Sequence, residues 1–400
     1  MSRSDSTTLT LADLVAPVGV SQFFSTVVGR VHRRFPGPAG RFAGLMPWSE
    51  VNRVLREHRL QFPRLRLAQD GASIPEHTYT DSVETGRAGV VHRILPAAFA
   101  ERLRGGATMV LDAVQELSAP VGRLALALEH EFRERVQVNL YAGWGVTHGF
   151  DVHWDDHDTL ILQVSGRKRW RVYGATRPVP LSRDVEPPQR PTTEPLDDFV
   201  LEDGDALYVP RGHWHDVSAM GEESLHLTIG LHQATGIDLM SWLVDRLRSE
   251  EVFREDLPRF APAEDRAARA EALRAKVVEL MDATLVDRFL ADRDALAPAI
   301  EHAGLPWTAT RDPLPEGDEA EVRLLTPRAV LDVGPDAVSL SAAGQRLVFA
   351  APAAPVLRML VGSAAHTVKS LVEAGAPALD RTTVRALLAE LVRHGVLAPE

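Results

Sequence analysis

A short segment near the middle of the chain carries residues of the types that bind a divalent metal ion. On a strand, residues two apart point to the same side, so His153 and Asp155 could bind one ion together. A third ligand is expected from the string 210–215, in which Pro210 and Gly212 shape a turn before His215. Two imidazoles and one carboxylate on one face of an octahedral ion form the facial triad of non-haem Fe(II) oxygenases.

Neighbouring histidines leave alternatives open. His157 would share a face with His153 only on a helix, and the flanking patterns favour strands. His213 could bind together with His215 if the strand began early. In a further alternative the histidines are hydrogen-bonded inside a polar barrel and hold no metal. Seven of the fifteen histidines, His148 among them, fall between 148 and 232, which points to one region of the fold.

Lysine is rare in this chain, which has only Lys168, Lys276 and Lys369 among its 44 Lys and Arg residues. Arginine is therefore the default cation, and a lysine indicates a special position. A 2-oxo acid would fill two open positions of the metal, and its distal carboxylate requires a cation. The compact ammonium group of Lys168 would suit the end of a narrow pocket. The other interpretation is a surface lysine in the basic run 167–171.

Short strands must position these residues. Val136, Val138 and Leu140 alternate with polar or aromatic residues, a pattern typical of a strand with two different faces. A turn at Ser165 and Gly166 predicts that the strands on either side of it form a hairpin. The predicted strands are 136–141, 159–164, 168–173, 198–201, 206–209 and 224–231. Because no helix separates them, the pattern favours a β-barrel or sandwich over a parallel sheet.

Helical patterns flank this strand-rich region. Apolar spacing predicts mostly helical structure between 10 and 135, including 108–117 and 121–132. After Asp238, one apolar stripe runs to Leu247 and a longer one runs from Leu273 to Phe289, which suggests a packing or dimerisation module. The last segment predicts strands and then helices, with Asp380 as an N-cap and Gly395 as a stop. The predicted domains are 1–134 (helical or mixed), 135–234 (catalytic core), 235–310 (helical dimerisation region) and 311–400 (winged-helix-like).

Composition excludes several classes of protein. The 400 residues suffice for two or three domains, and a net charge of −11 argues against general binding to nucleic acids or anionic membranes. The absence of cysteine excludes disulfides, thiolate metal sites and cysteine nucleophiles. No signal peptide and no run of about 18 apolar residues occurs, so we expect a cytoplasmic protein without a membrane partner. Eight basic and seven acidic residues between 321 and 400 make DNA binding by that end unexpected.

One region departs from this acidic balance. Between Ser21 and Leu67 there are nine arginines and two acids, a local net charge of +7. The first interpretation is a solvated helix face, and the second is a docking surface for an acidic partner.

Five motifs occur in an order that resembles the JmjC-type cupin oxygenases of the ribosomal oxygenase group. They read Asn-Leu-Tyr at 139–141, Gly-Phe-Asp-Val-His-Trp-Asp-Asp-His-Asp at 149–158, Leu-Gln-Val-Ser-Gly-Arg-Lys-Arg-Trp at 162–170, Gly-Asp-Ala-Leu-Tyr-Val-Pro-Arg-Gly-His-Trp-His at 204–215 and Ser-Leu-His-Leu-Thr at 224–228. The resemblance covers about 139–232 strongly, and the N-terminal region matches only in general character.

The resemblance implies an α+β fold with a mainly β core, a double-stranded β-helix, followed by a helical dimerisation region and a C-terminal winged helix. It implies hydroxylation of a protein side chain that depends on Fe(II), 2-oxoglutarate and O₂, carried out by a homodimer. His153, Asp155 and His215 would bind iron, and Lys168 would pair with the distal carboxylate of 2-oxoglutarate. The remaining matches, which would line the cosubstrate pocket, are Asn139, Tyr141 and Thr228.

Other functions are compatible with the same residues. The substrate could be a peptide or natural product from a biosynthetic pathway instead of a ribosomal protein. A non-catalytic cupin could bind partners through its C-terminal end, although such a protein would not need the three ligands together with Lys168. A cupin isomerase would use the metal without a 2-oxo acid.

Overall fold

The computed structural model describes residues 9–86, 89–146, 149–184 and 189–400. The chain divides into two compact units, residues 1–233 and residues 234–400. Within the described ranges, no helix is both long enough and apolar enough to span a lipid bilayer.

Three of the five described helices of the first unit begin at residues that favour a helix start. Thr10 and Asp13 form a capping box at the start of the first helix, and a proline occupies the first turn of the fourth and fifth. The fifth ends just before Arg133, which adopts a left-handed conformation. Their bounds are α1 (Leu11–Leu14), α2 (Val20–Thr26), α3 (Trp48–Glu57), α4 (Pro96–Arg104) and α5 (Ala119–Phe132).

The strands of the first unit build two facing sheets and a separate hairpin. Their bounds are β1 (Arg33–Phe35), β2 (Leu65–Gln69), β3 (Ala72–Ser73), β4 (Thr80–Thr85), β5 (Gly89–Ile94), β6 (Thr108–Leu111), β7 (Val136–Gly143), β8 (Asp158–Ser165), β9 (Lys168–Ala175), β10 (Asp197–Leu201), β11 (Ala206–Val209), β12 (His213–Ala219) and β13 (Ser224–Leu231). The large sheet has the order β1-β11-β8-β13-β7-β6-β2-β3, and the small sheet has the order β10-β9-β12. Every pairing in both sheets is antiparallel, which agrees with the predicted β core.

Alternating side chains give the large sheet two different faces. Along β13, Leu225 and Leu227 join the main apolar core, which also includes residues of α1, α2, α3 and α5. His226 and Thr228, which alternate with them, line a cavity on the opposite face. The even-numbered residues of β7 join the core in the same way, as the sequence pattern predicts. A smaller apolar cluster draws residues from both sheets, among them Ile161 and Trp170.

The predicted hairpin around Ser165 and Gly166 is wrong, although both of its strands exist. β8 pairs with β11 and β13 in the large sheet, whereas β9 pairs with β10 and β12 in the small one. Gly166 makes this crossing possible because its φ is +65°, and a Cβ atom there would collide with the carbonyl oxygen of Glu223. The consecutive strands therefore lie in different sheets.

The N-terminal region is mixed, and its described residues form the six strands β1 to β6 beside the helices α1 to α5. The predicted helix at 108–117 is wrong: Thr108–Leu111 forms β6, and only Val114–Glu116 is helical, as a short 3₁₀ turn. All four residues of β6 are buried, and the strand pairs with β2 and β7. Pairing on both edges outweighs the local helical pattern in this segment.

The second unit begins with helices and continues with small sheets. Its helices are α6 (Gly236–Leu247), α7 (Glu251–Arg254), α8 (Ala263–Leu280), α9 (Leu285–Ala295), α10 (Ala354–Leu360), α11 (Val368–Gly375) and α12 (Arg381–Arg393). Its strands are β14 (Glu321–Leu324), β15 (Val330–Val333), β16 (Ala337–Ala342), β17 (Gln345–Ala350), β18 (His366–Thr367) and β19 (Leu397–Pro399). They form two three-stranded sheets with the orders β18-β14-β19 and β15-β16-β17.

The longer apolar stripe predicted from Leu273 to Phe289 is divided between two helices. α8 ends at Leu280, and α9 begins only at Leu285. Between them, the Asp282 carboxylate accepts hydrogen bonds from the backbone N–H and the hydroxyl of Thr284, which ends the helical ladder.

The last helix agrees with its sequence signals. The Asp380 side chain accepts a hydrogen bond from the backbone N–H of Thr383, and Gly395 has a φ of +67° just after the helix. The apolar face of α12 lies in a core shared with α10, α11 and β14.

Substitution of Gly166 by alanine should destabilise the first unit. A left-handed conformation costs a residue with a side chain about 1–3 kcal/mol, and the clash with Glu223 adds to that cost. The matched control is Gly44→Ala, because a Cβ at Gly44 meets no atom within 4 Å. Urea unfolding followed by tryptophan fluorescence should show a clear loss for Gly166→Ala and little change for the control. Equal losses in the two variants would contradict this explanation of the crossing.

Candidate metal centre

Two backbone hydrogen bonds join the loop that carries His153 to the start of β12. The His153 N–H donates to the His215 carbonyl at 3.1 Å, and the His215 N–H donates to the His153 carbonyl at 2.8 Å. The Gly212 N–H also donates to the carbonyl of Asp155 at 2.9 Å. The segment 153–155, for which strand geometry is expected from the sequence, is therefore a loop with one isolated bridge. In an antiparallel pair, directly opposite side chains lie on the same side of the sheet.

The structure brings His153, Asp155 and His215 together. One nitrogen or carboxylate oxygen from each lies within 4.8 Å of the other two. The Nε2 atom of His215 is 3.7 Å from Oδ2 of Asp155, and the two imidazole rings are 4.3 Å apart. Two imidazoles and one carboxylate at this spacing fit a single divalent ion.

Hydrogen bonds fix which ring nitrogen each histidine can offer. Nδ1 of His153 lies 2.8 Å from the carbonyl oxygen of Asp151, and Nδ1 of His215 lies 3.1 Å from the carbonyl oxygen of His213. A carbonyl oxygen only accepts hydrogen bonds, so each Nδ1 carries a proton and each Nε2 is the ring nitrogen that can bind an ion. The same outer hydrogen bond orients histidine ligands in metal sites generally.

Burial keeps one of these histidines neutral. Loss of solvent, assisted by the neighbouring His153, lowers the pKa of His215 to about 4. A neutral imidazole is the form that binds a metal, so no proton has to leave His215 at neutral pH before an ion binds.

The three residues line a cavity of about 260 Å³ between the two sheets. The large sheet contributes Tyr141, Thr159, Ile161, His226 and Thr228, and the small sheet contributes Lys168, Trp170, His215, Val217 and Ala219. The walls combine apolar side chains with a few converging polar groups, as is usual in small-molecule sites.

Lys168 is buried in this cavity, so the surface-lysine interpretation is wrong. Its side chain has one hydrogen bond, from Nζ to the carbonyl oxygen of Tyr141 at 3.4 Å, and no carboxylate among the described residues pairs with it. Burial lowers the pKa of Lys168 to about 7. In contrast, Lys276 and Lys369 each lie beside a glutamate. The cavity therefore holds a cation that lacks an anionic partner.

The other predicted cosubstrate residues are placed differently from one another. Tyr141 and Thr228 line the cavity, and burial raises the pKa of Tyr141 to about 12, so its hydroxyl keeps its proton. Asn139 does not line the cavity in the described structure. Its Oδ1 accepts a hydrogen bond from the Ala113 N–H, and its side chain hydrogen-bonds with Tyr141. Asn139 therefore contacts a residue that lines the cavity and does not line the cavity itself.

His226 is a cavity residue that the sequence pattern did not single out. Its ring stacks on Tyr141 at 5.0 Å. Burial, and to a smaller extent the charge of Lys168, holds the pKa of His226 well below the usual value. Strand alternation with Thr228 was the signal that could have identified it. Arg66 and Thr108 also line the cavity, but they come from β2 and β6, and no pattern in the sequence connects those strands to the metal site.

The remaining histidines lie outside the triad. A bulge separates His213 from His215, and the His213 ring faces His32 at 6.2 Å. His157 forms a second group with Asp156 and His232, in which Nδ1 of His157 is 2.9 Å from an Asp156 oxygen. His148 falls outside the described residues.

The chain is similar to known proteins in sequence and in fold. Residues 117–239 match the JmjC domain, and this range includes the triad and most of the residues that line the cavity. The chain is 27% identical over 316 residues to the bifunctional lysine-specific demethylase and histidyl-hydroxylase NO66 of Drosophila persimilis, covering 75% of this chain and 45% of that protein. It is 36% identical over 161 residues to ribosomal oxygenase 2 of Rattus norvegicus, covering 38% and 34%. The chain thus spans less than half the length of these relatives.

Solved structures share the fold along nearly the whole chain. YcfD, a ribosomal oxygenase from Escherichia coli, superposes with a TM-score of 0.56 at 19% identity, covering 95% of this chain and 97% of that one. A second structure of YcfD, in complex with cobalt and 2-oxoglutarate, matches with the same TM-score and identity and covers 95% and 98%. Residues 117–239 thus match a JmjC domain, and the predicted resemblance of the chain to the ribosomal oxygenase group is confirmed.

Removal of the buried charge should change how stability depends on pH. Below about pH 7, Lys168 is protonated in the folded and unfolded states, so the folded protein bears the whole cost of burying a cation. That cost falls as the pH rises from 7 toward the unfolded pKa of 10.5. Lys168→Met should therefore raise the melting temperature of the ligand-free protein most at pH 6 and least near pH 10. Thermal unfolding across this range measures the difference, and an advantage that grows with pH would contradict the assignment.

Proposed function

We propose that the protein is an oxygenase that uses Fe(II), 2-oxoglutarate and O₂ to hydroxylate a side chain of a protein substrate. The observation that carries this proposal is the cavity in which the triad His153, Asp155 and His215 accompanies the buried, unpaired cation Lys168. A metal alone would account for the triad. A dianionic cosubstrate accounts for the triad and the lysine together.

The residues fit both groups. Two neutral imidazole nitrogens and one carboxylate are the donors of a non-haem iron centre, and three ligands on one face leave positions for a bidentate cosubstrate. The ammonium of Lys168 would pair with the distal carboxylate of 2-oxoglutarate, and this pairing would offset the cost of burying the lysine charge. Support also comes from the related fold of YcfD, which has been solved with cobalt and 2-oxoglutarate.

Bound iron and 2-oxoglutarate would supply the oxidation, in which one atom of O₂ enters a substrate C–H bond and the other enters succinate as CO₂ is released. The protein's own residues bind and orient. The hydroxyls of Tyr141 and Thr228 can hydrogen-bond to cosubstrate oxygens, since both line the cavity. His226 stays neutral and packs flat against Tyr141, which holds that ring in place. Ile161 and Val217 form apolar walls that exclude water.

The proposed substrate class rests on the relatives. The names histidyl-hydroxylase and ribosomal oxygenase describe proteins that act on proteins, and both relatives are similar to this chain.

Mass spectrometry of proteins from a strain lacking the gene should show one or more peptides that have lost the mass of one oxygen. Complementation with the wild-type gene should restore the mass, and complementation with an Asp155→Ala gene should not. Identical peptide masses in all strains would contradict a protein substrate.

Variants of the cavity should separate metal binding from cosubstrate binding. Asp155→Ala should abolish succinate production because it removes a proposed iron ligand. Lys168→Ala should instead raise the apparent KM for 2-oxoglutarate about 10-fold to 100-fold, the effect of losing one charge-assisted contact. Lys369→Ala is the matched control, since this lysine is exposed and lies 3.8 Å from Glu319. Succinate release that is unchanged in Asp155→Ala would refute the triad, and an unchanged KM in Lys168→Ala would refute the cosubstrate anchor.

We further propose that the helices between 235 and 310 form a homodimer interface. Ile237, Met240 and Val244 follow one another at helical spacing along α6 and are 62%, 41% and 51% exposed. Val286 and Leu290 form a similar pair on α9, at 54% and 42%. Apolar stripes of this kind are typical of surfaces that a partner covers.

Light scattering should give about twice the chain mass of 43.9 kDa. Met240→Asp/Val244→Asp should shift the protein to the monomer, because burying two carboxylates in an apolar interface is costly. The single variant Val348→Asp serves as the control, since Val348 is 64% exposed on β17. A monomeric wild-type protein would contradict the interface.

The C-terminal part is proposed to be a winged-helix-like domain that contacts a protein partner. Support comes from the packing of α10, α11 and α12 in one core with β14, which pairs with β18 and β19. Its net charge of +1 between 321 and 400 provides little attraction for nucleic acid.

A further inference from the structure

A second cavity, of about 950 Å³, opens in the first unit between α3, β5 and α4. Its floor consists of buried apolar side chains, namely Val51, Leu60, Val91, Phe99 and Met109. Half-buried apolar side chains form the walls, namely Trp48, Leu55, Ile94, Leu103 and Trp144. The rings of Trp48 and Trp144 lie 5.4 Å apart. We refer to this cavity as the α3–α4 groove.

The α3–α4 groove is separate from the metal cavity. Thr108 and Met109 are consecutive residues of β6, and their side chains point to opposite faces of the large sheet. Thr108 lines the metal cavity, whereas Met109 lines the groove. Among the described residues, none lines both cavities.

Positive charge surrounds the groove. Arg56, Arg59 and Arg93 line it, and Glu223 is the single carboxylate among its described lining residues. Arg56 has a partner, because its guanidinium lies 2.7 Å from Glu57. Arg59 and Arg93 are exposed, and in the described structure neither side chain has a hydrogen bond or an ion pair. Two unpaired cations therefore stand beside an apolar floor.

Two arginines of the arginine-rich segment between Ser21 and Leu67, Arg56 and Arg59, line the groove. Six of its nine arginines bind carboxylates or carbonyl oxygens within the first unit, namely Arg34, Arg41, Arg53, Arg56, Arg64 and Arg66. Of the remaining three, Arg30 and Arg33 lie away from the groove and Arg59 lines it.

A histidine adds an unsatisfied polar atom to the same cavity. His58 follows α3 and lines the groove, and its Nδ1 atom is buried with no hydrogen-bond partner in the described structure. A buried ring nitrogen without a partner is unusual, because buried polar atoms are nearly always hydrogen-bonded.

We propose that the α3–α4 groove binds an amphiphilic carboxylate, with an alkyl chain against the floor and the carboxylate at Arg59 and Arg93. Arginine pairs well with carboxylates because its planar fork can donate two parallel hydrogen bonds. The cavity volume lies in the range of small-molecule sites, about 300–1,000 Å³. A neutral apolar ligand would leave both guanidinium groups unpaired, and a cationic one would be repelled by them.

Calorimetric titration with dodecanoate, below the concentration at which it forms micelles, tests the proposal on the full-length protein. One dodecanoate should bind per chain, and dodecyltrimethylammonium, which has the same chain and the opposite charge, should bind at least tenfold more weakly. Arg59→Gln/Arg93→Gln should weaken dodecanoate binding about tenfold or more. The matched control is Arg30→Gln/Arg33→Gln, which removes two unpaired arginines away from the groove and should leave affinity unchanged.

The location of the ligand can be measured independently. Dodecanoate brominated at its terminal carbon should quench tryptophan fluorescence in the wild-type protein, and most of this quenching should disappear in Trp48→Phe/Trp144→Phe. The proposal is overturned if dodecanoate does not bind, if both arginine double variants weaken it equally, or if quenching persists without Trp48 and Trp144. Equal binding of the anionic and cationic amphiphiles would overturn the assigned role of the arginines.

Discussion

The candidate metal centre depends on one pair of backbone hydrogen bonds, those that join His153 to His215. His153 lies in a loop outside the named strands, so no continuous ladder holds it in place. The reciprocal bonds fix the loop opposite the start of β12 and place both imidazoles on one side of it. The third residue of the triad, Asp155, is held because its own carbonyl accepts a hydrogen bond from the Gly212 N–H. Without this bridge, His215 would lie about sixty positions along the chain from His153 and Asp155, with no shared strand to hold the three residues together.

The second constraint is electrostatic. A buried ammonium group without a carboxylate is destabilising unless something compensates it, and the lowered pKa of Lys168 expresses that cost. Tyr141 contributes only its carbonyl oxygen, at 3.4 Å. The neighbouring His226 adds no negative charge, because burial holds its pKa well below the usual value and the ring stays neutral. Under the proposed function, an anion in the cavity would offset this cost, and the triad would determine where that anion can also reach a metal.

Much of the site could be predicted from the sequence because its residues belong to short local patterns. The spacing of His153 and Asp155, the turn before His215 and the rarity of lysine each identify a residue without knowledge of the fold. The partners that complete the cavity, such as Arg66 and Thr108, could not be found in that way. They come from β2 and β6, and long-range pairing places those strands beside the site.

Two predictions that the structure contradicts, the helix at 108–117 and the hairpin at Gly166, fail for the same physical reason. Local apolar spacing at 108–117 resembles a helix, yet pairing on both edges makes its first part a strand. A turn at Gly166 resembles a hairpin, yet the chain crosses between facing sheets there. Helix and turn signals describe a few neighbouring residues, whereas sheet membership is decided by strands distant in the chain. Boundaries with their own capping groups, such as Asp380 in the C-terminal part, were predicted correctly.

The most direct test of the central claim is an optical titration without oxygen. Addition of 2-oxoglutarate to the Fe(II)-loaded protein should produce a visible charge-transfer absorption that saturates at one equivalent per chain, since a chelating 2-oxo acid must share the cavity with the iron. Under the same conditions the Asp155→Ala protein should give no such absorption. A wild-type protein that binds one Fe(II) tightly but shows no absorption change at saturating 2-oxoglutarate would contradict the account.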